Sequence, residues 1–177
     1  MRAISSALPL ALLATTLGLA ADPPRAAGEI LAEAETTAAA QHKTIFLMFH
    51  ASWCGWCHRL DQFIETPDIK PIIQKYFVPT WLTIQEREEK AALNTPGAGN
   101  VWDRVSGKPA GLPFFAFLDE KGEPIVSSLQ PDGSNIGYPN EPQEIDWFMV
   151  MLKKAAPAMS PNESETLARQ LRTKKTK

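Results

Sequence analysis

Apolar and polar positions along the chain change period several times, and each change marks an element. From Gly28 the residues Ile30, Leu31, Ala34 and Ala38 recur at helical spacing, with Glu29, Glu33 and Glu35 off that face. This predicts an amphipathic helix whose acidic first turns suit the positive end of its dipole. Thr44 to His50 is a nearly unbroken apolar run, too continuous for a half-exposed strand, and predicts a strand buried on both faces. Leu60, Phe63 and Ile64, at i, i+3 and i+4, predict a helix that docks on that strand. Thr66-Pro67-Asp68 breaks it, and Ile69, Ile72, Ile73 and Phe77 carry a second helical piece. Phe77 to Ile84 alternates and reads as the second strand, Gln85 to Leu93 as a short solvated helix, and Asn94 to Asn100 as a turn-rich loop.

Phe114 to Leu118 is the third strand, Asp119 to Glu123 a hairpin connection, and Pro124 to Leu129 the fourth strand. Gln130 to Pro142, with two Gly, two Asn and three Pro, is irregular. Ile145, Phe148, Met149 and Leu152 give Glu144 to Ala156 an amphipathic helical period, and a last helix begins at Ser160-Pro161 and fades into the basic tail 174–177. Together these predict an α/β fold with a mixed sheet of about four strands in the order 2-1-3-4, the first two parallel through a right-handed crossover and the last two an antiparallel hairpin. One domain spans 28–157, followed by a C-terminal helix and tail over 158–177, with no internal repeat.

The composition, 44% hydrophobic and 21% charged over 177 residues, is that of an ordinary globular domain. The first twenty residues differ. Arg2 precedes an apolar run from Leu8 to Leu19, and the small residues Gly18 and Ala20 follow, which is the pattern of a cleaved signal peptide over 1–20 and a Pro/Ala-rich connector over 21–27. The alternative, an uncleaved membrane anchor, requires a longer apolar stretch and a basic stop-transfer flank. Cleavage removes Arg2 and leaves 17 basic against 20 acidic residues, a net charge of -3, and no basic surface suited to nucleic acid. With only two cysteines in an exported chain no disulfide framework is possible, so the thiols are expected to act chemically.

Both lie in Trp53-Cys54-Gly55-Trp56-Cys57-His58, directly after the first strand. A C-x-x-C pair followed by His serves as a redox dithiol, half of a zinc site or a haem-attachment site. Zinc needs four ligands, and His42, His50, His58 or carboxylates would have to complete the set without a second pair at suitable spacing. Haem attachment predicts a helix-rich chain with a second axial ligand, whereas this motif follows a buried strand.

Three stretches carry a family resemblance: Phe-x-x-x-Trp-Cys-Gly-x-Cys over Phe49 to Cys57, Gly-Leu-Pro-Phe-Phe over Gly111 to Phe115, and Ile136-Gly137-Tyr138 ahead of the last family helix. Over Gly28 to Ala156 the chain resembles the thioredoxin superfamily, in particular exported bacterial thioredoxin-like proteins with a WCGWC motif. The resemblance implies a thiol-disulfide oxidoreductase without a cofactor, a reductase or isomerase rather than an oxidase. Its partners would be protein thiols and disulfides, with a membrane electron donor to recycle it, and the protein would be a monomer. Cys54 would be the nucleophile and Cys57 the resolving thiol of a redox-active disulfide. Leu112-Pro113 would be the X-cis-Pro opposite them, offering the Leu112 backbone to an extended substrate. Trp53, Gly55, Trp56, His58, Gly137 and Tyr138 would bind substrate or tune the thiols.

One departure stands out: five residues before Trp53, where the family carries a buried acid, this chain has Met48. Proton transfer then falls to water, His50 or His58, and His58 is the better placed to stabilise a thiolate. The rival reading is a thioredoxin-shaped binding or chaperone module without turnover.

Overall fold

The computed structural model describes residues 24–108 and 110–173. The signal sequence expected over 1–20 and the tail 174–177 lie outside the described residues. The elements in order are α1 (Ala27–Gln41), β1 (Thr44–His50), α2 (Gly55–Ile64), α3 (Lys70–Tyr76), β2 (Phe77–Thr83), a 3-10 turn (Glu88–Leu93), α4 (Ala98–Ser106), β3 (Phe114–Leu118), β4 (Pro124–Ser127), α5 (Pro142–Ala155) and α6 (Pro161–Thr173).

The strands form one sheet in the order β2-β1-β3-β4. β1 pairs in parallel with β2, from Thr44 against Phe77 to His50 against Thr83, and antiparallel with β3, from Ile45 against Leu118 to Phe49 against Phe114. Fold class, strand order and strand directions are those expected from the sequence. The two outer strands each contain a proline, Pro79 in β2 and Pro124 at the start of β4.

Pleating sends successive side chains of β1 to opposite faces. Phe46 and Met48 enter a core shared with Leu60 and Phe63 of α2 and Phe148 of α5, while Ile45, Leu47 and Phe49 meet Leu31 of α1 and Trp102 of α4. The first core is aromatic at its centre: the Phe46 ring lies 4.6 Å from Phe117 and 5.5 Å from Phe115, and Phe148 lies 5.9 Å from Phe115. Truncating any of these fully buried rings to Ala is worth about 3–5 kcal/mol.

Three expectations are corrected. The turn-rich reading of Asn94 to Asn100 holds only to Gly97; α4 begins at Ala98, with Gly97 (φ +81°) at its start and Gly107 (φ +65°) at its end, both in the left-handed region glycine tolerates. Its formation is a tertiary effect, because Trp102 packs 5.1 Å from Phe49 and 4.9 Å from Phe114 and so outweighs the weak local propensity of Gly99 and Asn100. The solvated helix expected over Gln85 to Leu93 is irregular through Arg87, with Gln85 in the left-handed region, and turns only afterwards, as a 3-10 segment. β4 is also shorter than expected, ending at Ser127, with Leu129 making an isolated bridge to Asn135.

α6 adds Leu167 and Leu171 to the core that holds Phe148. Its first turn is tied to α3 by Glu163, which accepts hydrogen bonds from Lys75 Nζ (2.7 Å), Tyr76 Oη (2.7 Å) and Ser160 Oγ (2.7 Å). The Lys75, Ser160 and Tyr76 donors, with the Ser160 N–H, lower its pKa to about 2. A depressed carboxylate pKa contributes stability that is complete above the unfolded value of 4.5 and is lost as the pH falls through about 2. Glu163→Gln should therefore lower Tm at pH 7 but have a much smaller effect at pH 2, flattening the acid limb of a series of thermal melts followed by circular dichroism.

Candidate active site

At the carboxyl end of β1, a central strand, Ala51 to Cys54 form a tight turn closed by the Cys54 N–H donating to the Ala51 carbonyl at 3.0 Å. Cys54 is the N-cap of α2, in extended backbone geometry, and its Sγ accepts the Cys57 N–H at 3.1 Å. A sulfur in that position receives one of the N–H groups a helix start leaves unpaired, together with the positive end of the dipole. Cys54 and Cys57 form a disulfide with a Cα separation of 5.2 Å, and both residues are nearly covered, at 4% and 1% exposure.

Leu112 packs on Ala51, Cys54 and Cys57. The Leu112–Pro113 peptide is cis. Asn135, which the sequence reading passes over, donates from Nδ2 to the carbonyls of Gly111 (2.7 Å) and Pro113 (3.0 Å) and so fixes the turn that carries them. Gly137 has φ +54°, and a Cβ there would stand 3.7 Å from Pro113 Cδ, in ordinary contact. At Gly55 a Cβ would meet nothing within 4 Å, so space alone does not require glycine.

Trp53 and Trp56 are half exposed, and each has a guanidinium on its ring. Trp56 stacks on Tyr138, with centroids 6.0 Å apart, and Arg59 lies 4.6 Å from its centroid. Trp53 donates from Nε1 to the Gln85 carbonyl at 2.9 Å, with Arg87 5.6 Å from its ring. Trp56, Leu112, Pro113, Gly137, Tyr138 and Glu144 are among the residues lining a cavity of about 350 Å³. Burial pushes the Tyr138 hydroxyl above its ordinary pKa, partly offset by Arg59.

Met48 is buried in the apolar core, so no carboxylate occupies that strand position. The acids around the motif are Asp61 and Glu86, neither of them singled out by the sequence. Asp61 lies one turn after Cys57 on α2, accepts from Trp81 Nε1 at 3.0 Å and pairs with His50 Nδ1 at 3.8 Å. Burial raises its pKa, but the bonds from His50 and Trp81 and the charges of His50 and His58 outweigh this and hold it below the ordinary value. His50 also bonds Thr83 Oγ1 through Nε2, at 3.1 Å. His58 Nε2 donates to the Ser52 carbonyl at 2.9 Å.

Glu86 is buried and accepts the Ser52 N–H on one oxygen and Ser52 Oγ, at 2.9 Å, on the other. The Ser52 N–H bond, opposed by burial and aided by the Ser52 hydroxyl and by Lys90 and His50, holds its pKa below the ordinary range. Asp61 could have been found from its i, i+4 relation to Cys57. Glu86 left no such signal, because it falls in a charged stretch that reads as a solvated surface.

Among the described residues no group of three or more His, Cys, Asp or Glu is placed to hold a metal ion. The haem-attachment reading calls for a helix-rich chain, whereas the motif here sits on a four-stranded sheet with its two sulfurs joined to each other.

The sequence model of the thioredoxin-like family matches residues 27–120. Among solved structures, a disulphide isomerase from Xylella fastidiosa is 18% identical, covering 87% of this chain and 98% of its own, with a TM-score of 0.48. A protein described as DsbH oxidoreductase is 21% identical, covering 85% and 96%, with a TM-score of 0.44. The C-terminal domain of Neisseria meningitidis DsbD in its oxidised form is 18% identical, covering 72% and 98%, with a TM-score of 0.43. A search of curated proteins gives no match.

The positive φ of Gly137 supplies a test of the wall opposite the disulfide. Gly137→Ala should cost about 1 kcal/mol in urea denaturation, from backbone strain alone, since the added methyl meets Pro113 without a clash.

Proposed function

The chain belongs to the thioredoxin-like family, and on that premise we propose that it is an exported thiol-disulfide oxidoreductase acting on protein disulfides, in the reducing or isomerising direction. The observation that carries the proposal is Cys54 as the cap of α2: its sulfur, bonded to the Cys57 N–H, lies where a thiolate would be stabilised while its resolving partner sits 5.2 Å away at Cα.

In the reduced protein the Cys54 thiolate attacks one sulfur of a substrate disulfide. The substrate S–S bond breaks, its second sulfur leaves as a thiolate that takes a proton, and a mixed disulfide joins Cys54 to the substrate. Cys57 then loses its proton and attacks Cys54 Sγ, and the substrate departs with both cysteines reduced as the Cys54–Cys57 bond closes. Two electrons have passed to the substrate, and a dithiol donor, assigned here to a membrane protein, must return them. Leu112 offers its backbone to the substrate segment. Trp53, Trp56 and Tyr138 supply aromatic surface on either side, Gly137 leaves the groove wall open, and Gly55 spaces the cysteines.

The proton of Cys57 needs an acceptor. His58 donates from Nε2 to the Ser52 carbonyl, which leaves Nδ1 as the ring atom able to accept a proton, and its charged form would favour the Cys54 thiolate. The reducing direction is favoured because oxidases of this fold carry an inserted helical domain, while the described segment between β2 and β3 holds only the 3-10 turn and α4. Export rests on the pattern of residues 1–20. No helix among the described residues is long and apolar enough to cross a membrane.

The reduced protein should accelerate the precipitation of insulin by dithiothreitol, and Cys54→Ser should abolish the effect. Cys57→Ser should trap substrates on Cys54 as mixed disulfides, visible as reductant-sensitive bands on gels. A wild type that leaves insulin disulfides intact, with no trapped species in the variant, would favour the non-catalytic binding module.

A further inference from the structure

The turn before the motif is held more firmly than its length requires. Ser52 is anchored through every polar group it has: its N–H and Oγ to the Glu86 carboxylate, its carbonyl to His58 Nε2 at 2.9 Å, and its Oγ also to Lys90 Nζ at 3.1 Å. Ser52 lies inside the turn closed from Cys54 N–H to Ala51 O, so fixing it fixes the approach of the backbone to Cys54. Glu86 is in turn held by Asn94, which accepts its N–H on Oδ1 (2.9 Å) and donates from Nδ2 to its carbonyl (3.1 Å). Gln85, with φ +63°, brings the chain into this arrangement, and the Gln85 carbonyl receives Trp53 Nε1. The segment after β2 thus presents one buried carboxylate to the turn that carries the nucleophile.

Resting on the thiol-disulfide reading above, we infer that Glu86 is a positioning residue that sets the balance between the dithiol and disulfide forms by clamping Ser52 with a buried negative charge. A neutral amide oxygen could also accept the Ser52 N–H, though more weakly; the carboxylate adds a charge that opposes a thiolate on Cys54, two residues from Ser52. This counters the helix start and His58, raising the free energy of the reduced, ionised site relative to the disulfide and keeping the couple reducing. The charged groups facing Glu86 are Lys90, on the 3-10 turn, and His50, at the end of β1, and they temper the carboxylate without neutralising it.

Glu86→Gln, with Glu86→Asp and Asn94→Ala beside it, tests this. Two readouts are used: the pH titration of thiolate absorbance in the reduced protein, and the equilibrium of the Cys54–Cys57 pair with reduced and oxidised glutathione. Glu86→Gln should lower the Cys54 thiol pKa and shift the glutathione equilibrium about three- to tenfold toward the dithiol. Glu86→Asp, which keeps the charge, should stay within about twofold of wild type. Asn94→Ala releases the Glu86 backbone and should move both readouts the same way by less, so it carries the test if the Gln variant does not fold. A merely structural role would lower Tm of oxidised and reduced protein alike and leave both readouts in place, and that result overturns the inference. If the wild type does not equilibrate with glutathione at all, the functional reading fails and takes the inference with it. Equilibration by the wild type, with unshifted variants, removes the inference alone.

Discussion

Five successive side chains of β1, Ile45 to Phe49, are at most 1% exposed, and because a strand points alternate side chains to opposite faces, two separate layers are needed to cover them. α2 and α5 cover Phe46 and Met48; α1 and α4 cover Ile45, Leu47 and Phe49. The strand is therefore pinned between neighbours on both edges and packing on both faces, and its last residue, His50, has little freedom of position. The turn that follows, and the cysteine that caps α2, inherit that fixed origin. Burial of β1 thus places the site, even though no side chain of its central run touches the sulfurs.

That same burial explains what could be read from the chain. Thr44 to His50 and Phe114 to Leu118 were legible because strands covered on both sides must be apolar throughout, and α2 and α5 because their period of 3.6 is uninterrupted. α4 was not, since Gly97 and Gly99 are local turn signals while the packing of Trp102 on Phe49 and Phe114 is a contact between distant parts of the chain. At the site, the cysteine pair, its flanking tryptophans and the Leu112-Pro113 stretch were visible as motifs. Glu86, Asn94 and Asn135 were not, because each acts on backbone groups, and a residue that binds backbone needs no partner of recognisable type in sequence.

Charge around the disulfide is divided. The start of α2 gives Cys54 Sγ the Cys57 N–H, and His58 bonds the Ser52 carbonyl, while the carboxylates of Glu86 and Asp61 lie against the turn and one helical step after Cys57. Met48 completes an apolar layer with Phe46 and Phe63, where a carboxylate would need buried partners of its own. Moving the acids to the margin of the sheet lets them keep donors, Ser52 for one and His50 with Trp81 for the other, and leaves the core unbroken. The charged groups nearest the disulfide are in this way kept apart from the apolar packing around Met48.

The prolines of the outer strands bear on how the molecule meets other copies of itself. An exposed strand edge with a full row of free N–H groups is a template for intermolecular pairing and aggregation. Pro79 removes a donor from β2, and β4 begins with Pro124 and runs only four residues, so both rims are poor templates. Sheet-to-sheet growth through either rim is thereby disfavoured, while Leu112 precedes β3, an inner strand, and is set in from both rims.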